Sequence, residues 1–300
     1  MKKIFLFTFL TLILVSCKTT GELALEASTK NSGKIVHFPG AKAEGYAYAD
    51  DVTAALRMPK GVSGKVPAVV ILHSSGGING TGDFYAEELN KNGIATLEVY
   101  MFDKGERPKT GTRTNYTQVY GALRYLAQRP DINSKEIGVM GFSWGGILAL
   151  ATASKVPTEA FMKGSDLQFA AHAPFYPVCY SHLRKVQGKA SWGNDYYKAF
   201  TGAPVLIFNG GRDGYDGTPQ ECANFIAALP ESVRRFVKLQ FYPNATHGWD
   251  VPNRAPWTGH DRYAHAGKGG SYPMEPNPKI AQDSRSKVVE FFVRTLKTGG

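Results

Sequence analysis

The sequence lacks any apolar stretch of about 20 residues, the length that a membrane-spanning helix needs. It has only three cysteines, and it has fewer acidic than basic residues, 25 Asp and Glu against 35 Lys and Arg. The net charge of +10 is spread along the chain without a basic run or an alternation of basic and aromatic residues, which argues against a nucleic-acid-binding protein. No internal repeat is present. A chain of 300 residues then has room for one large α/β domain.

The first residues have the pattern of an export signal. Met1-Lys2-Lys3 is basic, residues 4–15 form a short apolar run, and Leu14-Val15-Ser16-Cys17 closes it. That closing segment resembles the lipobox of bacterial lipoproteins, which implies cleavage before Cys17 and lipidation of this cysteine. An ordinary secretory signal is the alternative. We predict a signal peptide at 1–16, a small polar tether at 17–33 and a single domain at 34–300, anchored by lipid in the bacterial cell envelope, at the periplasmic face or the outer membrane.

Two cysteines remain once Cys17 is assigned to the lipid. In an oxidising compartment Cys179 and Cys222 are able to form a disulfide. Two cysteines in a large domain also occur as separate small buried residues. Spacing alone does not decide between these two interpretations.

Apolar runs and helical patterns alternate along the chain. This alternation predicts an α/β fold with a mainly parallel, doubly wound sheet and helices on both faces. Ligands should then bind at the carboxyl ends of the strands. Two insertions, 181–201 with Trp192 and 251–278, either shape a substrate pocket or pack as surface loops. Two early strands are expected within 34–59, further strands at 68–72, 94–100, 137–140, 169–174, 205–209 and 236–242, and helices at 83–92, 116–126, 146–151, 219–229 and 280–296.

The pentapeptide Gly141-Phe142-Ser143-Trp144-Gly145 lies between a predicted buried strand and a predicted helix. This is the pattern of a nucleophile elbow, which exposes a serine on a strained turn. Glycine is needed at Gly141 and Gly145 because strand and helix approach closely there. Ser143 is therefore the predicted nucleophile.

A serine nucleophile needs a histidine base and an acid that orients the base. In this architecture the acid follows the serine and the histidine follows the acid. Asp213 lies directly after one predicted strand and His247 directly after the next, and Asp216 is the alternative acid. Residues 260–265, with two histidines and an aspartate, are a weaker alternative as metal ligands because a further fixed ligand is missing. We predict no cofactor and no metal.

Two backbone amides are predicted to stabilise the negative oxygen of the tetrahedral intermediate. The Trp144 amide follows the nucleophile at the start of its helix. The second amide should come from the loop 73–77, where we predict Ser75, with Gly76 as the alternative. His73 in the same loop is interpreted as a structural histidine.

From about residue 53 to 296 the chain resembles the dienelactone hydrolase family of α/β-hydrolases. The resemblance rests on residues 69–77, the elbow at 141–146, Phe175-Tyr176-Pro177, residues 210–213 and His247-Gly248. The namesake enzymes of the family carry a cysteine where this chain has Ser143, and an acidic residue at the position of Ser74. These departures argue against hydrolysis of dienelactone itself.

The sequence therefore predicts an exported serine hydrolase that cleaves carboxylic esters or lactones of small molecules through an acyl-enzyme. The alternative is a lipid-anchored binding or envelope-maintenance protein that has kept the fold without turnover.

Overall fold

A computed structural model describes residues 18–29, 33–190 and 195–297 of the chain. The predicted signal peptide, Cys17 and Trp192 lie outside these residues. Within them, no helix has both the length and the apolar character that crossing a membrane requires. The single domain expected at 34–300 stays a prediction.

In the described part of the chain the main sheet has eight strands in the order β1-β2-β4-β3-β5-β6-β7-β8. The pairs β1/β2 and β2/β4 are antiparallel, and all other neighbours are parallel. The strands are β1 (Lys34–Phe38), β2 (Val52–Arg57), β3 (Val66–Leu72), β4 (Ala95–Val99), β5 (Ile132–Phe142), β6 (Ala171–Phe175), β7 (Val205–Arg212) and β8 (Val237–Thr246).

Helices connect the strands and cover the sheet. They are α1 (Thr20–Thr29), α2 (Thr81–Lys91), α3 (Tyr116–Ala127), α4 (Trp144–Ala151), α5 (Lys155–Phe161), α6 (Cys179–Val186), α7 (Glu221–Ala228), α8 (Glu231–Arg234), the single turn α9 (Ala264–Gly267) and α10 (Pro278–Leu296). A 3₁₀ turn at Thr112–Asn115 precedes α3.

Strand β3 shows why the sheet needs helices on both faces. Val70 and Leu72 pack into the apolar cluster that includes α3 and α4, while Val69 and Ile71 pack into the cluster that includes α2 and α10. Successive side chains of a strand point to opposite faces, so a continuous apolar run must be covered twice. The predicted α/β fold with a mainly parallel sheet is confirmed.

Two regions differ from the sequence-based expectation. The predicted polar tether contains helix α1, which packs on the domain through the fully buried Leu25. The insertion at 251–278 contains an antiparallel hairpin, β9 (Trp257–Asp261) paired with β10 (Gly270–Met274). Short strands inside a segment rich in proline and glycine give a weak periodic signal, so the sequence pattern did not reveal the hairpin.

The cysteine pairing left open by the sequence is decided by the fold. Cys179 and Cys222 form a disulfide that joins the first turn of α6 to α7. Helix α6 leads into the insertion at 181–201, so the disulfide ties the start of that insertion to α7.

Candidate active site

The turn between β5 and α4 carries Ser143 in a strained backbone conformation with a positive φ, at φ 50° and ψ −106°. A Cβ added at Gly141 would lie 2.4 Å from the carbonyl of Gly145, and one added at Gly145 would lie 2.1 Å from the carbonyl oxygen of Leu72. Both contacts are with backbone, which has little freedom to move away. The two glycines thus permit the close crossing that the sequence pattern predicted.

Ser143, His247 and Asp213 come together at the carboxyl ends of their strands. His247 Nε2 lies 2.8 Å from Ser143 Oγ, and His247 Nδ1 lies 2.8 and 3.0 Å from the two carboxylate oxygens of Asp213. All three residues are buried. With Nδ1 carrying its proton toward the carboxylate, Nε2 is free to accept the hydroxyl proton of Ser143.

The two candidate acids occupy different positions. The Asp213 carboxylate contacts His247 and also accepts the amide of Tyr215 at 2.9 Å. The Asp216 carboxylate instead accepts the amide of Tyr180 at 2.9 Å, in the first turn of α6. Burial, followed by the nearby charge of Asp213, raises the pKa of Asp216 well above its usual range. The geometry thus places Asp213, and not Asp216, beside the histidine.

Ser75 and Trp144, whose amides were predicted to hold the negative oxygen, line the same cavity as Ser143. Neither amide has a partner in the described backbone, whereas the amide of Gly76 donates to Ser74 Oγ at 3.1 Å. Ser75 is therefore better placed than Gly76 to offer a free N–H group.

His73 is held in place on both sides of its ring. Its Nδ1–H donates to the Ser74 carbonyl at 2.7 Å, and its Nε2 accepts the Met101 amide at 2.9 Å. Burial lowers the pKa of His73 to about 4, so the ring is neutral near pH 7. Both nitrogens are thus used in fixing the loop, which agrees with a structural histidine.

The residues considered as metal ligands are engaged elsewhere. Asp261 accepts a paired contact from Arg107 at 2.6 and 2.9 Å, while His260 and His265 bond separately to Ser271. Among the described residues, one cluster of potential ligands is close enough to hold a metal, Cys179, Cys222 and Asp216, and its two sulfurs are joined to each other.

An aromatic shell surrounds the histidine. The ring centroids of Tyr215 and Tyr176 lie 4.3 and 4.7 Å from that of His247. The Tyr176 hydroxyl donates to the buried carboxylate of Asp250 at 2.6 Å, and the Tyr85 hydroxyl donates to the same group at 2.7 Å. These contacts fix the position of the imidazole ring. The sequence did not predict this network because its members are far apart in the chain.

Two cavities meet at Ser143. The larger, of about 640 Å³, is lined by Trp144, Ile147 and residues of the insertion that begins with α6, including Arg184. The smaller, of about 170 Å³, is lined by His247 and by the hairpin residues Trp257 and Tyr272. Both insertions singled out in the sequence thus contribute described residues to the walls around the serine.

Comparison with known proteins adds a family match. Residues 52–296 match the model of the dienelactone hydrolase family. The resemblance predicted from the motifs over about 53–296 is thereby confirmed.

Curated relatives match the chain over shorter lengths or at lower sequence identity. The chain is 29% identical over 101 residues to human acyl-coenzyme A thioesterase 2, mitochondrial, which is 34% of this chain and 19% of that protein. The chain thus spans about a fifth of that relative's length. It is 24% identical over 201 residues, 63% of this chain and 75% of the relative, to the "Probable 2-oxo-3-(5-oxofuran-2-ylidene)propanoate lactonase" of Bradyrhizobium sp.

Solved structures show the same architecture. Esterase Est2 of Thermogutta terrifontis with bound propionate has a TM-score of 0.61 at 17% identity, covering 90% of this chain and 97% of that chain. Est1E of Butyrivibrio proteoclasticus has a TM-score of 0.56 at 18% identity, covering 89% and 100%. At these identities the likeness establishes the fold alone.

Proposed function

This chain belongs to the dienelactone hydrolase family, and we propose that it is a serine hydrolase that cleaves carboxylic esters or lactones. One observation carries the proposal: the unbroken chain of short contacts from Ser143 Oγ through His247 to the Asp213 carboxylate. A fold retained for binding alone would have no need to keep these three groups within hydrogen-bonding distance.

The proposed reaction has two halves. In the first, Ser143 Oγ attacks the carbonyl carbon while His247 Nε2 takes the hydroxyl proton, and Asp213 stabilises the charged imidazole. The Trp144 and Ser75 amides bind the negative oxygen of the tetrahedral intermediate. His247 then returns the proton to the leaving oxygen, which departs as an alcohol and leaves an acyl-serine.

In the second half, water replaces the alcohol. His247 Nε2 takes a proton from the water as its oxygen attacks the acyl carbon. The second tetrahedral intermediate collapses, the proton passes to Ser143 Oγ, and the carboxylic acid is released. At the end of the cycle Ser143 and His247 have their original protonation, and the chain's own residues make each proton transfer.

A fluorophosphonate probe tests the proposal, since it reacts with an activated serine. The purified protein should be labelled and should hydrolyse short-chain p-nitrophenyl esters. Ser143→Ala should abolish labelling, and turnover by Ser143→Ala and His247→Ala should fall by at least about a thousandfold. A folded wild type that is neither labelled nor active would favour the alternative, a binding or envelope-maintenance protein.

We further propose that the chain is a lipoprotein of the bacterial envelope, processed before Cys17. The lipobox-like sequence supports this proposal. When the full chain is expressed in a bacterial host with radiolabelled palmitate, label should enter the wild type and be absent from Cys17→Ala. Equal labelling of the two, or recovery of the wild type in the soluble fraction, would contradict the lipid anchor.

A further inference from the structure

The smaller cavity lies on the side of Ser143 from which the alcohol must leave. During acylation His247 Nε2 has to reach the leaving oxygen, and His247 with Gly248 lines this cavity. The larger cavity is lined instead by Trp144 and Ile147, and His247 is absent from its described walls. The leaving alcohol therefore enters the smaller cavity, and the acyl group extends into the larger one.

Two buried polar side chains line this alcohol cavity. Thr81 is 3% exposed, and its hydroxyl has no hydrogen-bond partner in the described structure. Glu98 is 1% exposed, and its Oε2 accepts from Arg57 Nη2 at 3.0 Å. A buried hydroxyl left without a partner costs free energy, so the site is more stable when a ligand or water completes it.

The pairing of these two groups selects the chemistry of the ligand. An alcohol hydroxyl is both a donor and an acceptor, so it is able to donate to the Glu98 carboxylate and accept from Thr81. The charges of Glu98 and Arg57 compensate each other, so this pair by itself attracts neither a carboxylate nor a cation. An alkyl group would leave the Thr81 hydroxyl without a partner.

The volume limits the size of the ligand. A cavity of about 170 Å³ is smaller than the roughly 300–1,000 Å³ of sites for drug-sized molecules. It therefore takes a small alcohol.

We propose that Thr81 and Glu98 form a subsite for a second hydroxyl of the leaving alcohol, so that the substrate is an ester of a small polyol. This inference rests on the hydrolase function proposed above. Thr81 and Glu98 act as specificity-determining residues and take no part in the proton transfers.

A matched pair of esters tests the subsite. In 2-hydroxyethyl butyrate the terminal methyl group of propyl butyrate is replaced by a hydroxyl, at almost the same size. Acid release is followed in a pH-stat, which gives kcat/KM for each ester. The ratio of the two kcat/KM values is then normalised, that is, divided by the ratio of the alkaline hydrolysis rates of the same two esters. We expect the wild type to prefer the hydroxylated ester by at least roughly twentyfold, since one neutral hydrogen bond accounts for about fivefold and a bond to the charged Glu98 for at least as much.

Two further variants isolate the hydroxyl of Thr81. Thr81→Val removes the hydroxyl with little change of shape and should lower the ratio by roughly fivefold, whereas Thr81→Ser should restore it. The matched control is Thr96→Val, because Thr96 is also buried with an unpartnered hydroxyl but is absent from the described walls of the cavity. It should keep the wild-type ratio.

The outcomes separate this inference from the proposed function. If the wild type hydrolyses both esters with equal normalised kcat/KM, or if Thr96→Val lowers the ratio as much as Thr81→Val, the subsite is refuted and the hydrolase stands. A preference found only for propyl 3-hydroxybutyrate over propyl 3-methylbutyrate refutes the assignment to the alcohol. A folded wild type without turnover or fluorophosphonate labelling overturns both.

Discussion

The contact between His247 and Asp213 allows a quantitative prediction for Asp213→Asn. Each tetrahedral intermediate forms with a proton on His247, next to a buried carboxylate whose oxygens lie 2.8 and 3.0 Å away. Two opposite charges roughly 4 Å apart attract by about 4 kcal/mol at an effective dielectric constant of 20. Asparagine keeps the shape and can still accept the Tyr215 amide, but it loses the charge. We expect kcat to fall by about a thousandfold, since each 1.4 kcal/mol is a factor of about ten.

The matched control is Asp216→Asn. Asp216 is equally near in sequence, but its carboxylate bonds to the Tyr180 amide and not to His247. Because the Asp216 carboxyl does not contact His247, its replacement by an amide leaves the charge beside the imidazole in place. We expect a loss in kcat below about tenfold. Steady-state hydrolysis of p-nitrophenyl butyrate and the rate of fluorophosphonate labelling measure both variants, with circular dichroism to establish folding. Equal losses, or a larger loss for Asp216→Asn, would refute this reasoning.

Three other predictions concern the elbow, the pH dependence of stability and the disulfide. Gly145→Ala places a Cβ 2.1 Å from the Leu72 carbonyl oxygen, so the elbow must shift and labelling should slow by at least about a hundredfold; labelling at the wild-type rate would contradict the strained crossing. Burial lowers the pKa of His172 from 6.5 to about 4, so the unfolded state binds the extra proton between these values, and stability is lost as pH falls through this range. From pH 7 to pH 5 this one residue should cost about 2 kcal/mol in urea unfolding, a loss that His172→Asn should remove; the same pH slope in both proteins would contradict it. Replacing both Cys179 and Cys222 by serine removes the disulfide that closes a loop with a sequence separation of 43 residues. Because the unfolded chain then gains conformational entropy, the free energy of unfolding should fall by up to about 4 kcal/mol, and an unchanged Tm would contradict this.

The elements with strong local signals were predicted well. The apolar run of β3, the helical spacing in α3 and the pentapeptide around Ser143 each report on neighbours within a few residues, so periodicity and turn chemistry sufficed. Strand β5 is longer than predicted because its first half, from Ile132, is partly polar. Helix α5 lay in a stretch to which no element had been assigned, and helix α1 in a stretch interpreted as a tether.

The residues of the candidate site likewise divide into those that the sequence predicted and those that it did not. Ser143, Asp213 and His247 could be named because each follows a predicted strand, and the carboxyl ends of parallel strands meet at one edge of the sheet. Tyr176, Asp250, Thr81 and Glu98 could not be assigned to the site. Their positions depend on how separate elements pack, and nothing in the local pattern distinguishes a tyrosine that contacts the histidine from one in the core.

The sequence by itself determined the alternation of the main strands and helices, the elbow that carries the serine, and the family to which the chain belongs. Only the tertiary structure decided that Asp213 rather than Asp216 contacts His247, that the two cysteines are joined, and that two cavities of different size and polarity meet at Ser143. The physical reason is the separation along the chain over which each kind of interaction acts. Backbone propensity and hydrophobic periodicity act between near neighbours, whereas hydrogen bonds, disulfides and cavities depend on distances between residues that folding alone brings together.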